Sequence, residues 1–292
     1  VRRVRLFGKK ELGDAENDLP TQALVNQQEA ALEAVRQALA DNGWVVEVEG
    51  DEEAHYQVAV GRNGEYEICI GMPLENLTPA LMINNSEAPK EVVKRLIHLA
   101  KYQAVQELDN LTSELNNAIE FVLLDANKQP LPDQSNITLK QGDLVHLRLK
   151  NVSFQPLNVA VLDLEPTWEI SQIPIQGLDA SFFQLVPDQS IDIRLRFKVP
   201  EGKGYTQAKE MLKLFATRGP ADFRWLKLPS LDQEIEKKAS RGTRSISNSF
   251  GKLLEAVGED VGISPQLTRA AVYEPDPNAE WVTKQIQMTV KQ

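Results

Sequence analysis

The clearest pattern of apolar and polar positions in this sequence lies in residues 89–110. Apolar side chains recur there every three or four residues, at Val92, Leu96, Leu99, Ala104 and Leu108. This spacing places them on one face of a helix and leaves Arg95 and Lys101 mostly off that face. Pro89 fits the first turn, because the amides of that turn have no intrahelical acceptor. The pattern predicts an amphipathic helix.

Upstream of this helix, the pattern alternates between helix and strand. A helical stripe of apolar residues covers residues 21–40, and strand-like runs occupy residues 1–7, 44–48, 56–60 and 66–70. A short turn with a glycine at each end separates the last two runs, which indicates an antiparallel hairpin. Residues 1–112 are therefore predicted to form a small α+β domain that ends in the linking helix.

Downstream of residue 112, the apolar runs have the length and alternation of strands. They occupy residues 118–124, 137–139, 144–150, 157–164, 182–186, 191–199, 211–217 and 281–290. Turn residues separate them, a spacing typical of antiparallel sandwiches. The sequence therefore predicts an α+β protein, in which a small N-terminal α+β domain is followed by an antiparallel β-sandwich over residues 113–292.

A long insertion interrupts the strands of the second domain, at residues 221–280. Its centre, residues 237–249, is rich in Ser, Arg and Lys, and a short helical pattern follows at residues 250–257. Connections of this length are uncommon and are often functional. We expect the insertion to carry an interaction surface that includes Phe223, Trp225, Arg241 and Arg244.

Composition and charge narrow the classes of partner. The chain has 292 residues, of which 42% are apolar, and this length and content suit two ordinary cores. Its net charge is −10, whereas a sequence-independent nucleic-acid binder needs a concentrated basic surface. No apolar run approaches the roughly 20 residues that span a bilayer. We therefore expect a protein partner, with no nucleic acid and no membrane.

Cysteine usage and the N-terminus bear on location. Cys69 is the only cysteine, so no intrachain disulfide can form, and we expect a cytoplasmic location. Against this stand five Asn-x-Ser/Thr sequons, at Asn76, Asn84, Asn110, Asn136 and Asn151. The chain begins on Val1 without a signal peptide, and we expect it to be a piece of a longer protein.

The sequence pattern predicts neither a catalytic nor a metal site. A nucleophilic thiol needs a neighbouring base or a positive environment. Cys69 lies within an apolar strand pattern, and the histidines His55, His98 and His146 fall in three different elements. The ligand spacings typical of zinc and calcium sites do not occur in the sequence. We therefore expect a structural Cys69, no cofactor and no bound metal.

Three stretches resemble a known family. Residues 92–110 (VVKRLIHLAKYQAVQELDN), 211–229 (MLKLFATRGPADFRWLKLP) and 44–70 resemble segments downstream of the protease domain in bacterial, notably cyanobacterial, caspase-like peptidases of the metacaspase and orthocaspase group. The resemblance implies a full-length protein with an N-terminal caspase-fold cysteine peptidase that uses a His-Cys dyad. The His-Gly and Asp-x-Cys segments of that family do not occur in this chain, so no catalytic residue is carried over.

The resemblance implies that this chain is a non-catalytic accessory region, which binds or regulates substrates, partners or the protease domain. A competing hypothesis is a free-standing ligand- or carbohydrate-binding β-sandwich. Its recognition surface would be an exposed aromatic platform formed by Trp168, Phe182, Phe183, Phe223 and Trp225. A third hypothesis is an enzyme whose site is assembled from residues that are dispersed in the sequence.

Overall fold

A computed structural model describes most of the chain. The described residues are 1–7, 22–40, 42–49, 52–177, 180–201, 204–219, 221–231, 233 and 281–292. Within them lie two α-helices and fourteen β-strands, so this part of the chain has a mixed α and β fold made mostly of strands. It divides into two compact units, one containing Val1–Lys101 and the other beginning at Tyr102.

The first unit contains a five-stranded sheet. Its strands are β1 (Arg2–Phe7), β2 (Val45–Glu47), β3 (Tyr56–Val60), β4 (Tyr66–Ile70) and β5 (Met72–Pro73). Their order is β2-β1-β3-β4-β5, in which β1 runs parallel to both of its neighbours and the other pairs are antiparallel. The hairpin that the sequence predicts between β3 and β4 is therefore confirmed.

Helix α1 (Gln22–Leu39) packs on this sheet. Its buried stripe includes Leu32, Val35 and Leu39, as the apolar spacing predicts. The hydroxyl of Tyr66 in β4 donates to the carbonyl of Ala31 at 3.0 Å. This buried hydrogen bond joins the helix backbone to the sheet.

Helix α2 (Ala88–Glu107) confirms the helix predicted over residues 89–110, although it ends a few residues earlier. Val92 and Leu96 on its apolar face are fully buried. The division between the compact units falls inside this helix, between Lys101 and Tyr102. The sequence placed its domain boundary after the helix, at residue 112.

The second unit consists mainly of strands. They are β6 (Ile119–Leu124), β7 (Ile137–Lys140), β8 (Leu144–Asn151), β9 (Leu157–Leu164), β10 (Ile170–Ile173), β11 (Phe183–Leu185), β12 (Ser190–Arg196), β13 (Gln207–Thr217) and β14 (Trp281–Lys291). A short 3-10 helix, Phe223–Leu226, follows β13. The sequence predicted each of these strands except β10, and it did not predict the 3-10 helix.

These strands form two sheets. The larger sheet has the order β10-β9-β13-β14-β7, with β11 also paired to β9, and the smaller sheet has the order β12-β8-β6. The pairings are antiparallel, except that β7 and β14 are parallel. The sequence predicted antiparallel pairing for this region. Because β7 and β14 are far apart in the chain, no tight hairpin imposes an antiparallel direction on them.

Two hydrophobic clusters form the cores of the second unit. The larger cluster takes buried residues from both sheets, for example Leu147 of β8 and Leu214 of β13. The second cluster contains Leu162, Phe215 and Phe223. Alternate residues of β9 and β13 enter different clusters, so these two strands are buried on both faces.

Replacing Phe223 by alanine should destabilise the second unit by about 3–5 kcal/mol. Phe223 has no exposed surface, and its ring centre lies 5.5 Å from that of Phe215, so truncation leaves a cavity. Urea unfolding followed by tryptophan fluorescence measures the change in free energy.

The matched control for that variant is Phe154→Ala. Phe154 is 99% exposed, so its truncation should change the free energy of unfolding by less than about 0.5 kcal/mol. Equal effects of the two substitutions would show that Phe223 is not a core residue.

Candidate functional site

The four sequence-predicted interaction residues do not form one described surface. Phe223 is fully buried in the second cluster, and Trp225 is half-buried against it. Arg241 and Arg244 lie outside the described residues, as do residues 237–249 and 250–257 of the insertion. Phe223 is therefore corrected from a surface residue to a core residue, because the 3-10 helix packs its ring against Phe215.

Cys69 occupies a position that favours the thiol over the thiolate. It is buried in β4, and burial, followed by the charge of Glu67, raises the pKa of its thiol. A protonated thiol is a weak nucleophile. Within the described ranges, no group of three or more His, Cys, Asp or Glu side chains could hold a metal ion.

The three histidines are placed in separate parts of the fold. Nδ1 of His55 accepts a hydrogen bond from the amide of Arg3 at 3.1 Å. His98 is buried in α2 and is 4% exposed. Nδ1 of His146 in β8 lies 3.1 Å from the carbonyl oxygen of Asp125. The first two belong to the first unit and the third belongs to the second.

Two carboxyl groups meet on neighbouring strands of the larger sheet. Asp163 of β9 stands opposite Leu212 of β13, which puts it diagonal to Glu210 on the same face of the sheet. A hydrogen bond joins the two carboxyl groups, and Glu210 is only 7% exposed. Two carboxylates in contact repel each other strongly when both are ionised, so such a pair retains a proton.

Burial is the main cause of the unusual titration of this pair. Burial and then the charge of Glu165 raise the pKa of Asp163 to about 7. Burial and then the charge of Asp163 raise the pKa of Glu210 to about 9. Oδ1 of Asp163 is buried and has no hydrogen-bond partner among the described residues. The pair therefore holds at least one proton at neutral pH.

A pocket of about 310 Å³ opens beside Glu210. Its lining is mainly polar and includes Tyr102, Asn136, Lys209, Gln287 and Met288. The hydroxyl of Tyr102 donates to the carbonyl of Glu165 at 3.2 Å, and burial followed by the charge of Asp163 raises the pKa of Tyr102. At neutral pH the polar side chains that line the pocket can form hydrogen bonds with a ligand, while Glu210 retains its proton.

A second feature is the loop of residues 152–156 between β8 and β9, here called the Phe154 loop. Asn151 has no exposed surface, and its side-chain amide donates to the carbonyls of Gln155 at 2.8 Å and Leu185 at 2.9 Å. Its Oδ1 accepts from the amide and the hydroxyl of Ser153, at 2.9 and 2.7 Å. Four hydrogen bonds from one buried side chain fix the backbone of this loop.

Apolar side chains project from the Phe154 loop and from the turn after β11. Phe154 is 99% exposed, Val152 is 39% exposed and Val186 is 47% exposed. The turn is joined to the loop by the amide of Asp188, which donates to the carbonyl of Asn151 at 3.0 Å. Large apolar groups are thus held in solvent by an ordered backbone.

The sequence carries a signal for this loop in the spacing of Asn151 and Ser153. This Asn-x-Ser spacing matches a sequon, but it is also typical of an Asx turn. Asn110, another sequon asparagine, is also buried, and its side-chain amide donates to the carbonyl of Trp281 at 3.0 Å. Both side chains serve the fold in these positions.

The sequence matches no protein-family model and no curated protein. In the part of the chain that the structure describes, no helix is both long enough and apolar enough to cross a membrane.

Asn151→Ala should lower the free energy of unfolding by about 2–4 kcal/mol, since it removes the side-chain donor to the Leu185 carbonyl and the other three hydrogen bonds of a fully buried amide. The comparison is Ser153→Ala, which removes one partly exposed hydroxyl and should cost less than about 1 kcal/mol. Urea unfolding measures both values. A smaller effect for Asn151→Ala than for Ser153→Ala would contradict the anchoring role of Asn151.

The carboxyl pair should make stability depend on pH. Both pKa values are higher in the folded chain than the ordinary 3.8 and 4.5, so the folded state binds more protons. Stability is therefore greatest below about pH 4 for these groups and falls as the pH rises towards about 9. Glu210→Gln keeps a hydrogen-bond donor and removes one ionisation.

The melting temperature of Glu210→Gln should therefore rise relative to the wild type between pH 5 and pH 9, by at least about 2 °C. Differential scanning fluorimetry across this range measures the shift. Glu201→Gln is the control, because Glu201 is exposed and should show no such trend. A constant difference between Glu210→Gln and the wild type would disprove the shared proton.

Proposed function

We propose that this chain is a non-catalytic interaction region of a caspase-like cysteine peptidase and that it binds a protein partner through the Phe154 loop. The observation that carries the binding role is the 99% exposure of Phe154 on a loop fixed by buried Asn151. Because the loop is already ordered, binding through it loses little conformational entropy. Aromatic side chains are frequent anchors of protein interfaces.

The proposal also takes the second unit to be a β-sandwich. It is supported by the larger cluster, which combines buried residues of both sheets. Along β8, buried and partly exposed residues alternate, as they do in a strand with one face in a core. In sandwiches, the loops lie at the ends of the sheets, where they can carry binding residues without disturbing the core.

The proposed partner is the protease domain of the parent protein or one of its substrates. The resemblance of residues 92–110 and 211–229 to segments downstream of caspase-like domains supports this partner. The raised pKa of the buried Cys69 thiol supports a non-catalytic role for the chain. A cytoplasmic location belongs to the same proposal, since the free thiol suits a reducing compartment.

The alternative of a carbohydrate-binding sandwich depends on an exposed aromatic platform. Phe223 is fully buried, and Phe182 and Trp225 pack against the second cluster. Phe183 packs against the larger cluster. Because these rings contribute to two different cores, they favour the protein-interaction proposal over a shared sugar-binding surface.

The parent-protein part of the proposal is tested by the coding sequence upstream of residue 1. We expect this sequence to encode a caspase fold with a His-Cys dyad, in frame with the present chain. A start codon directly before the chain, or an unrelated upstream domain, would contradict the peptidase part.

Phe154→Ser should weaken binding to that caspase-fold domain by at least about tenfold, because a central aromatic anchor is lost. Isothermal titration calorimetry with the two purified proteins measures Kd. The control is Val46→Ser in the first unit, where Val46 is 47% exposed and the affinity should stay unchanged. Unaltered affinity of a folded Phe154→Ser chain would contradict the role of the loop.

A further inference from the structure

The smaller sheet of the second unit ends on a strand whose outer edge is open in the described part of the chain. β12 pairs with β8 continuously, from Ser190 opposite Lys150 to Arg196 opposite Leu144. Among the described residues, no strand pairs with its other side. With 7 residues, β12 is longer than β6, β7, β10 and β11, the other described strands at sheet edges of the unit.

Two other edges are covered by the chain itself. At β6, the side-chain amide of Gln134 donates to the carbonyl of Leu123 at 2.9 Å, and its Oε1 accepts from the Leu123 amide at 3.2 Å. At β10, Ile170 and Leu228 exchange two backbone hydrogen bonds of 3.0 Å. Such cover prevents another strand from adding to an edge. No described residue covers β12 in this way.

Alternate residues of β12 direct their backbone groups to the open edge. At one end the amide of Asn151 donates to the carbonyl of Gln189 at 3.0 Å, and at the other the amide of Gly142 donates to the carbonyl of Phe197 at 2.9 Å. Odd-numbered residues therefore face β8. In an antiparallel ladder the residues between them point the opposite way. The amides and carbonyls of the even-numbered residues face the open edge.

The side chains of β12 form an apolar row and a basic row. Ile191, Ile193 and Leu195 pack against the larger cluster but are only partly buried. Arg194 and Arg196 are exposed on the opposite face of the sheet. An added strand would therefore meet incomplete apolar cover on one face and positive charge on the other.

Asp192, the acidic side chain on the basic face of β12, is paired with two cations. Arg148 of β8 donates two hydrogen bonds to Asp192, at 2.8 and 3.0 Å, and Nζ of Lys128 lies 3.1 Å from it. The bonds from Arg148 are the main reason that the pKa of Asp192 falls to about 2. Glu120 of β6 stands opposite Lys150 on this face, whereas Arg194 forms no ion pair in the described part of the chain. This face is locally basic, although the net charge of the chain is −10.

We propose that the open edge of β12 binds an extended peptide of alternating acidic and apolar residues, which adds to the smaller sheet as a further strand. The peptide backbone bonds to the even-numbered residues of β12. Its acidic side chains lie beside Arg194 and Arg196, and its apolar side chains extend the cover of the larger cluster. A second copy of β12 fits less well, since like charges opposite each other are destabilising.

This inference rests on the proposed function in treating the chain as a binding region, and it adds a class of ligand and a second surface. The side chain of Phe154 is 99% exposed and does not belong to β12. Phe154→Ser should therefore bind the acidic peptide as the wild type does, even though it loses the caspase-fold partner. The two proposals can fail independently.

The test uses the full chain and a fluorescein-labelled nine-residue peptide that alternates valine and glutamate. Fluorescence anisotropy measures Kd. We expect saturable binding, and binding at least about tenfold weaker when lysine replaces glutamate. An acidic peptide that is N-methylated along the edge facing β12 should also lose binding, because it cannot donate to the strand. Equal affinity for the glutamate and lysine peptides would overturn the inference.

Arg194→Pro is the most direct variant. The amide it removes faces the open edge, so the ladder to β8 keeps its hydrogen bonds. Binding of the acidic peptide should weaken at least about tenfold, and Arg194→Gln, which removes only the charge, should have an intermediate effect. If Arg194→Pro does not fold, Arg194→Glu combined with Arg196→Glu replaces it, with the same expected loss.

Wild-type affinity of these folded variants would overturn the inference. Analytical ultracentrifugation of the free chain measures its oligomeric state and so tests whether a second copy occupies the edge. A wild-type dimer that dissociates in Arg194→Pro would show that a second copy occupies the edge, which would also overturn the proposed peptide ligand.

Discussion

Residues 211–217 of strand β13 are paired along both edges and buried on both faces, and the other features of the second unit follow from this constraint. The strand pairs with β14 along all of its 11 residues and with β9 from Met211 to Thr217. Its even-numbered apolar residues enter the larger cluster, and its odd-numbered apolar residues enter the second. A polar side chain on such a strand needs a partner, since burial without one is costly.

Two charged residues of β13 show how this requirement is met. Lys213 is 1% exposed, and its Nζ donates to the carbonyl of Gln106 in the last turn of α2 at 2.6 Å. Burial lowers the pKa of Lys213 to about 8, against the opposing charges of Asp109 and Glu107. Glu210 instead shares a proton with Asp163. A helix carbonyl thus accepts from the buried ammonium of Lys213, and a second carboxyl group lets Glu210 retain its proton in a largely apolar environment.

The sequence predicts most of the helices and strands, because the apolar pattern of an element such as Leu157–Leu164 lies within consecutive residues of the chain. Features that depend on remote partners were not predicted. Arg95 and Lys101 are buried because the Pro79 carbonyl accepts from Arg95 at 2.7 Å and the Trp44 ring lies 5.5 Å from Lys101. The Asp163–Glu210 pair joins two strands that are distant in sequence. The predicted surface position of Phe223 is wrong, because an aromatic residue after a strand shows the same local sequence pattern whether it is buried or exposed.

We propose that stability and binding use different strands, since residues 211–217 of β13 are paired on both edges, whereas β12 is open along one edge in the described part of the chain. Amide hydrogen exchange of the free chain, resolved by NMR, tests this division most directly. We expect slow exchange at residues 211–217 of β13, slow exchange at Ile191, Ile193 and Leu195 of β12, and fast exchange at Asp192 and Arg194. Equal protection of the two sets of β12 amides, or fast exchange at residues 211–217, would contradict this division.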